Sequence, residues 1–112
     1  MTQSERRARP RIPASVELKL HAPELHFVLL SRTIDMSAHG AFVRSNRPLP
    51  VGLRVMVQFE RGRDRNPLTV RAEVVRVATP DEGRTSGIAV RFQEISELDE
   101  AIINDLIDAA KS

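Results

Sequence analysis

Arginines crowd the N-terminal edge of the chain. The stretch RRARPR spans Arg6–Arg11, with Glu5 as its neighbouring acid, and contains Arg6, Arg7, Arg9 and Arg11. A guanidinium group grips phosphate oxygens through a planar fork and stacks on the faces of rings. Arg7 and Arg11 stand four residues apart, so a partly extended backbone around Pro10 lets both face one dianionic purine ligand from opposite sides. A solvated tail and a nucleic-acid-binding arm are the alternatives.

A second polar stretch, DMSAHG (Asp35–Gly40), lies between two apolar segments. A carboxylate such as Asp35 can accept two N–H bonds from a guanine edge, and Ser37 can donate or accept a hydrogen bond. Gly40 permits a turn with positive φ and a close backbone approach. The spacing predicts a tight connection between two strands, with its polar side chains aimed at one spot. The alternative is a local turn in which Asp35 and Ser37 bind neighbouring backbone N–H groups.

The remaining residue types offer little to catalysis or to metal binding. The chain has no cysteine, and its three histidines are His21, His26 and His39. His21 and His26 fall in predicted strands at a spacing that points them to opposite faces, so they form no obvious pair of metal ligands. The glycines are isolated and form no phosphate-binding loop of the Walker or dinucleotide type. We therefore expect no enzyme activity, no metal and no cofactor.

Length and composition predict one small domain with an uneven charge distribution. The 112 residues carry a formal net charge of +2, yet residues 1–11 carry four arginines against one glutamate, and residues 97–112 carry five acids against Lys111. The N-terminal edge therefore suits an anionic partner, while the overall balance argues against a general polyanion binder. No segment approaches the roughly 18 consecutive apolar residues of a membrane span, and the N-terminus lacks the apolar stretch of a signal peptide. The expected location is the cytoplasm.

Apolar residues that alternate with polar ones predict about six strands. The segments are Val16–His21, His26–Ile34, Ala41–Val43, Leu53–Phe59, Leu68–Val77 and Ile88–Phe92. The alternation slips at Val74–Val75, which predicts a β-bulge. Because no helix separates the strands, the pattern predicts an antiparallel barrel or sandwich. Closure into a barrel would leave so short a chain without exposed sheet edges.

The apolar pattern changes its period after the last strand. The residues that recur at helical spacing are Leu98, Ile102, Ile103, Leu106, Ile107 and Ala110. Ser96 is a candidate N-cap, with Asp99 three residues further on. The chain thus divides into a flexible basic arm (1–11), a β-barrel (12–95) and a C-terminal amphipathic helix (96–112), which we expect to pack on the barrel.

The two polar stretches and the strand pattern together resemble a PilZ domain. RARPR (Arg7–Arg11) matches the pattern RxxxR, DMSAHG (Asp35–Gly40) matches DxSxxG, and the closing strand GIAVRF spans Gly87–Phe92. The resemblance covers essentially the whole chain, from Glu5 to the terminal helix. It implies an all-β fold, a six-stranded antiparallel (split) barrel with one C-terminal helix. It also implies a receptor for the bacterial second messenger cyclic di-GMP.

The same resemblance assigns ligand-binding roles to five residues. Those on the arm that would bind guanine and phosphate are Arg7 and Arg11. Those that would line the pocket of the other guanine are Asp35, Ser37 and Gly40. We expect ligand binding to order the arm against the barrel and so to relay the signal to an effector protein, which the sequence does not identify.

Three further arginines are candidate ligand contacts. Arg6 directly precedes RxxxR, a placement that in the family accompanies an intercalated pair of ligand molecules. Arg9 is a candidate phosphate contact within the arm, and its alternative is a solvated side chain. Arg91, on the polar phase of the last strand, can reach the ligand from the barrel surface; its alternative is a surface ion pair with Glu73 or Glu94.

Two other functions remain open. A PilZ-like adaptor would bind partner proteins without nucleotide. A small nucleic-acid-binding barrel would stack bases on surface aromatic residues. The chain has four phenylalanines but no tyrosine or tryptophan, and most of the phenylalanines fall on apolar phases, so binding of nucleic acid is not expected.

Overall fold

The computed structural model describes residues 12–78 and 86–111. Its strands are β1 (Ile12–Pro13), β2 (Glu17–Ala22), β3 (Phe27–Ser37), β4 (Gly40–Arg44), β5 (Arg54–Phe59), β6 (Leu68–Ala78) and β7 (Gly87–Gln93), and its helix is α1 (Glu97–Ala110). A short 3-10 turn, Pro23–Leu25, joins β2 to β3. The candidate residues Arg6, Arg7, Arg9 and Arg11 lie outside the described residues.

Strands β2 to β7 close into a six-stranded antiparallel barrel. Hydrogen-bonded neighbours follow the order β3-β2-β5-β6-β7-β4, and β4 pairs back with β3. Closure pairs the two strands that would otherwise be the edges of the sheet. The predicted fold class, an antiparallel barrel with one C-terminal helix, is confirmed.

The barrel interior is filled by the apolar phase of each strand. In β2, the buried residues are Leu18, Leu20 and Ala22, and the residues between them are exposed. Phe59 and Phe92 meet inside the barrel edge to face, with ring centroids 5.8 Å apart and planes at 84°. The alternation that predicted the strands therefore reports which side of each strand faces the core.

Two irregularities bend the barrel strands. The register of β6 against β7 shifts between Val74 and Arg76, as the slip in alternation predicted. The register of β3 against β4 shifts between Thr33 and Asp35, which the sequence did not indicate. This second shift lies directly before the DxSxxG stretch.

Thr33 joins β1 and β2 to the same edge of β3. Its buried hydroxyl accepts a hydrogen bond from the Val16 N–H (2.9 Å) and donates to the Ala14 carbonyl oxygen. The Thr33 N–H donates in turn to the Val16 carbonyl oxygen (3.0 Å). The hydroxyl therefore bridges the gap between the two strands and holds the start of the described chain along β3.

Helix α1 packs across one end of the barrel. Strands β3, β5 and β7 run in the same direction, because each is separated from the next by one antiparallel strand. Their C-terminal ends, and the helix that follows β7, therefore lie at the same end. Ile103 and Ile107 are buried in the barrel core. Within the described ranges, no helix is long and apolar enough to span a membrane.

The start of α1 is capped as its sequence predicted. The Asp99 N–H donates to Ser96 Oγ (3.0 Å), and the Ser96 N–H donates to Asp99 Oδ2 (3.3 Å). This reciprocal pair is a capping box, and it satisfies two N–H groups at the start of the helix that have no partner within it.

Candidate ligand-binding site

The DxSxxG stretch lies mostly within strands. Asp35 and Ser37 belong to the end of β3 and Gly40 begins β4, so only residues 38 and 39 form the turn. The expected connection between strands is therefore shorter than the sequence suggested. Met36, between the two polar residues, is fully buried. Since side chains alternate along a strand, Asp35 and Ser37 both project from the outer face of the barrel.

Asp35 stands between two neighbouring strands. It lies opposite Pro13 of β1 on one side and opposite Phe42 of β4 on the other. The residue is partly buried, and its Oδ1 atom is shielded from solvent. A carboxylate in such a place favours partners that donate hydrogen bonds.

Ser37 takes part in the local turn that the sequence left open as an alternative. Its Oγ accepts a hydrogen bond from the His39 N–H (3.1 Å). A serine hydroxyl has one O–H donor and two acceptor lone pairs. The turn bond uses one acceptor position, so the O–H remains able to donate to a ligand atom.

Gly40 is required by close packing rather than by its φ angle. The positive-φ glycines of the described chain are Gly52 and Gly62, so the expected positive φ at Gly40 is wrong. The expected close approach is present: a Cβ on Gly40 would lie 2.5 Å from the Val90 carbonyl oxygen. Gly40 pairs with Arg91 in the β4–β7 ladder. Because Gly40 has no side chain, the two strands can lie close together and no side chain from this position covers the outer face beside Arg91.

Arg91 is exposed next to Gly40, on the same outer face as Asp35 and Ser37. The acids expected as its alternative partners are engaged elsewhere. Glu94 pairs with Arg71 (3.4 Å), and Glu73 accepts a hydrogen bond from the Gln93 side chain (3.1 Å). Across residues 12–78 and 86–111, Arg91 forms no ion pair within 4.0 Å.

Phe42 is a member of this surface that sequence reasoning missed. The sequence predicts that most phenylalanines face the core, yet in β4 Ala41 and Val43 are the buried pair and Phe42 points outward. Phe42 lies opposite Asp35 on one side and Ala89 on the other. Its ring covers Gly87, where an added Cβ would lie 2.6 Å from Phe42 Cζ. The pairing of Phe42 with small residues of β7 depends on the register between the two strands, so the local sequence carried no signal for it.

The RxxxR stretch joins this surface through the chain. Arg11 directly precedes Ile12, the first residue of β1. Ile12 lies opposite Met36 and Pro13 lies opposite Asp35. Among residues 12–78 and 86–111, no group of three or more His, Cys, Asp or Glu side chains lies close enough together to hold a metal ion. The carboxylate, hydroxyl, guanidinium and aromatic ring that lie on the outer face suit an organic ligand with hydrogen-bond donors, a flat ring and negative charge.

Three solved structures share this fold. MotI/DgrA, the inhibitor of motility of Bacillus subtilis, superposes with a TM-score of 0.71 at 16% identity, over 93% of this chain and 50% of that one. The PilZ domain of YcgR from Escherichia coli, solved with c-di-GMP, gives 0.66 at 18% identity, over 91% and 90% of the two chains. The PilZ domain of CeSA from a cellulose-synthesizing bacterium gives 0.62 at 20% identity, over 88% and 95%. This chain thus spans half the length of the MotI/DgrA chain and most of the other two.

The sequence itself points to the same fold family. No curated protein gives a significant sequence match. The family model described as "PilZ domain", however, matches residues 5–109, a span that includes the RxxxR stretch, the whole barrel and nearly all of α1. With the closed barrel, the C-terminal helix and the DxSxxG residues on one outer face, this match shows that the chain belongs to the PilZ domain family.

Proposed function

We propose that this PilZ domain is a receptor for cyclic di-GMP. The observation that carries the proposal is the pairing of β1 with the end of β3. Consecutive Cα atoms lie about 3.8 Å apart, so Arg11 starts one residue away from a strand that is hydrogen-bonded beside Asp35. The RxxxR and DxSxxG residues are thereby tethered to one surface. The fold shared with the YcgR domain, which was solved with c-di-GMP, supports the same proposal.

The barrel half of the site recognises one guanine. The Asp35 carboxylate accepts hydrogen bonds from the N1 and N2 hydrogens of the base, and the Ser37 hydroxyl donates to a neighbouring polar atom. Directly opposite residues in an antiparallel pair have Cβ atoms about 4.5–5.5 Å apart. A base held edge-on by Asp35 therefore lies within reach of the Phe42 ring, whose face provides a stacking surface.

The arm half of the site supplies the positive charge. Arg7 and Arg11 bind phosphate and the second guanine, since a guanidinium group can grip phosphate oxygens and the O6/N7 edge of guanine. Arg9 adds a phosphate contact from the arm. Arg91, exposed and without an acidic partner among the described residues, reaches the ligand from the barrel side.

Binding couples the ligand to the conformation of the arm. Four arginines within six residues repel one another and bring no large apolar side chain to bury. The two phosphates of the ligand supply the counter-charge that lets the arm dock on the barrel. The docked arm then presents a new surface to an effector protein. Arg6 places a further cation at the site and favours two intercalated ligand molecules per chain.

Isothermal titration with cyclic di-GMP tests the proposal and reports affinity and stoichiometry together. Hydrogen bonds to charged groups contribute roughly 1.5–3 kcal/mol each. At roughly 1.4 kcal/mol per tenfold, Arg11→Ala and Asp35→Ala should each weaken binding by about one to two orders of magnitude. Arg54→Ala, an exposed arginine of β5 outside the site, is the matched control.

Each titration outcome has a distinct meaning. Wild-type affinity in both Arg11→Ala and Asp35→Ala would overturn the proposed site. Absence of binding by the folded wild-type chain would overturn the receptor function and leave the nucleotide-independent adaptor. A stoichiometry of two that falls to one in Arg6→Ala is the result expected for the intercalated pair, and a stoichiometry of one in the wild type would contradict it.

A further inference from the structure

Two apolar side chains stand exposed on the outer face of β3, on the stretch of that strand before the candidate ligand site. Leu30 is 75% exposed and Val28 is 54% exposed. They occupy successive outward positions of the strand, and Leu30 lies opposite Lys19 of β2. Outer faces of antiparallel sheets are normally polar. Neighbouring exposed apolar residues with polar groups around them are typical of a surface that a protein partner covers.

A groove of about 1030 Å³ runs beside Leu30, and its rim is basic. The cations that line this basic groove are Lys19, Arg32, Arg63 and Arg65, and the acids are Glu17 and Glu60. Arg32 is held in place by Ser15, since its Nε donates to Ser15 Oγ (2.7 Å) and its Nη2 to the Ser15 carbonyl oxygen (3.2 Å). Among the described residues, Lys19, Arg63 and Arg65 form no ion pair within 4.0 Å.

The exposed side of α1 has the opposite character. The exposed residues of this acidic face include Glu97, Leu98, Asp105 and Asp108, and Leu98 is 69% exposed. Asp105 and Asp108 lie towards the C-terminal end of α1, where the helix dipole disfavours negative charge. Aspartate is also a weak helix former. Asp108 pairs with Lys111 of the same chain (3.5 Å). Asp105 forms no ion pair within 4.0 Å among the described residues, and a basic partner surface would supply the counter-charge that it lacks.

The basic groove and the acidic face are neighbours on the molecule. Arg65 lines the groove and also a smaller depression of about 130 Å³, where it faces Asp105 and Leu106 of α1. The β5–β6 loop thus separates the two surfaces. A two-fold axis beside this loop would bring the helix of each molecule to the groove of the other, giving two identical contacts.

We propose that a second copy of this chain occupies the basic groove, and that the two chains form a two-fold dimer by reciprocal docking of α1. Leu98 and the acids of one copy match the exposed Leu30 and the cations of the other, apolar against apolar and negative against positive. This dimer does not depend on cyclic di-GMP. Because its contacts are largely exposed charges, it should weaken with salt as the Debye length falls from about 10 Å at 0.1 M to about 3 Å at 1 M.

Sedimentation velocity of the full chain over a range of concentrations, at low and high salt, tests the dimer. The wild type should dimerise at low salt and dissociate on dilution or at high salt. Arg63→Glu/Arg65→Glu should be monomeric because the groove loses its charge. Asp105→Arg/Asp108→Arg should be monomeric too. The variant loses the Asp108–Lys111 ion pair but places cations near the C-terminus of the helix, where they are favoured, and its thermal unfolding measures the net effect on the helix.

Combining the two reversals in one chain gives the decisive variant. Arg63→Glu/Arg65→Glu/Asp105→Arg/Asp108→Arg should dimerise again, because both reciprocal contacts regain opposite charges. Arg44→Glu/Arg54→Glu, the same charge change on exposed residues outside the groove, should remain dimeric. Thermal unfolding checks that each variant is folded.

Three results would overturn the dimer. These are a monomeric wild type at every concentration at low salt, a folded charge-swapped chain that stays monomeric, and a control pair that dissociates as fully as the groove pair. Titration of the groove variant with cyclic di-GMP separates this inference from the proposed function. Wild-type ligand affinity in a monomeric groove variant supports both, and a chain that dimerises without binding the ligand contradicts only the receptor function.

Discussion

Phe42 gives the candidate site an aromatic surface beside a carboxylate. Asp35 and Phe42 are directly opposite in the β3–β4 ladder, and the small residues Gly87 and Ala89 of β7 let the ring lie close to the sheet. A carboxylate fixes the edge of a base, whereas a ring fixes its plane. At the scale of single residues, the pair would therefore account, in the proposed site, for selection of a flat ligand that donates hydrogen bonds.

Phe42→Ala should weaken cyclic di-GMP binding about 5- to 140-fold, because stacking of a base on an aromatic residue contributes roughly 1–3 kcal/mol. Titration calorimetry measures the loss, and thermal unfolding checks the cost of removing the ring from Gly87. Phe42→Leu is the matched variant, since it keeps an apolar cover on β7 but removes the flat face. Equal affinity in Phe42→Leu and the wild type would show that the ring only packs.

Gly40→Ala should destabilise the barrel, because the new Cβ would meet the Val90 carbonyl oxygen at 2.5 Å. The contacted atom is backbone, so β4 and β7 must separate, and overpacking of this kind costs about 1–3 kcal/mol. Chemical denaturation measures the change. An unchanged free energy of unfolding would mean that the two strands separate at no cost. Close packing of the strands would then not require glycine at position 40, and only ligand binding could.

At the scale of elements, β1 matters more than its two residues suggest. It carries the arm, and Thr33 holds its junction with β2 by hydrogen bonds to Val16 and Ala14. The bulge between Thr33 and Asp35 follows directly, so the same stretch of β3 fixes both the root of the arm and the start of the site. In the proposed mechanism, coupling between the arm and the site therefore needs no long path.

Thr33→Val should lower the free energy of unfolding by about 1–3 kcal/mol, because it leaves the buried Val16 N–H and Ala14 carbonyl without the hydroxyl. Affinity for cyclic di-GMP should fall as well, since β1 is less firmly held. Denaturation and titration on one sample measure the two effects. Thr69→Val, an exposed threonine of β6, is the control. If Thr33→Val lowers the free energy of unfolding but leaves the affinity for cyclic di-GMP unchanged, the junction of β1 and β2 does not contribute to ligand binding.

The elements were predictable where their residues alternate against the core. The alternation in β2 and the slip at Val74 predicted a strand and a bulge, because burial on one side imposes the pattern directly. The continuation of β3 through Asp35 and Ser37 was not predictable, because polar residues on an outer face resemble a turn. The outward position of Phe42 and the closure of β4 on β3 depend on register between distant strands, which local sequence does not encode.

At the scale of the whole molecule, the proposed site draws on both strands of the β3–β4 pairing and on the N-terminal segment that precedes β1. A ligand that binds across them stabilises the folded chain by mass action. At a ligand concentration 100 times the dissociation constant, one site adds about 2.7 kcal/mol. Since each kcal/mol shifts the melting temperature of a domain of this size by roughly 4–8 °C, cyclic di-GMP should raise Tm by roughly 10–20 °C.

The same shift distinguishes a ligand shared by arm and barrel from one held by the barrel alone. Arg7→Ala/Arg11→Ala should leave the ligand-free Tm unchanged and abolish most of the shift, because these arginines act only when the phosphates are present. Asp35→Ala should also abolish most of the Tm shift, because it removes a contact between the barrel and the ligand. A full shift in the double arginine variant would mean that the barrel binds the ligand without the arm, and the arm could then not report the signal. Differential scanning calorimetry with and without cyclic di-GMP decides whether the arm and the barrel share the ligand or the barrel holds it alone.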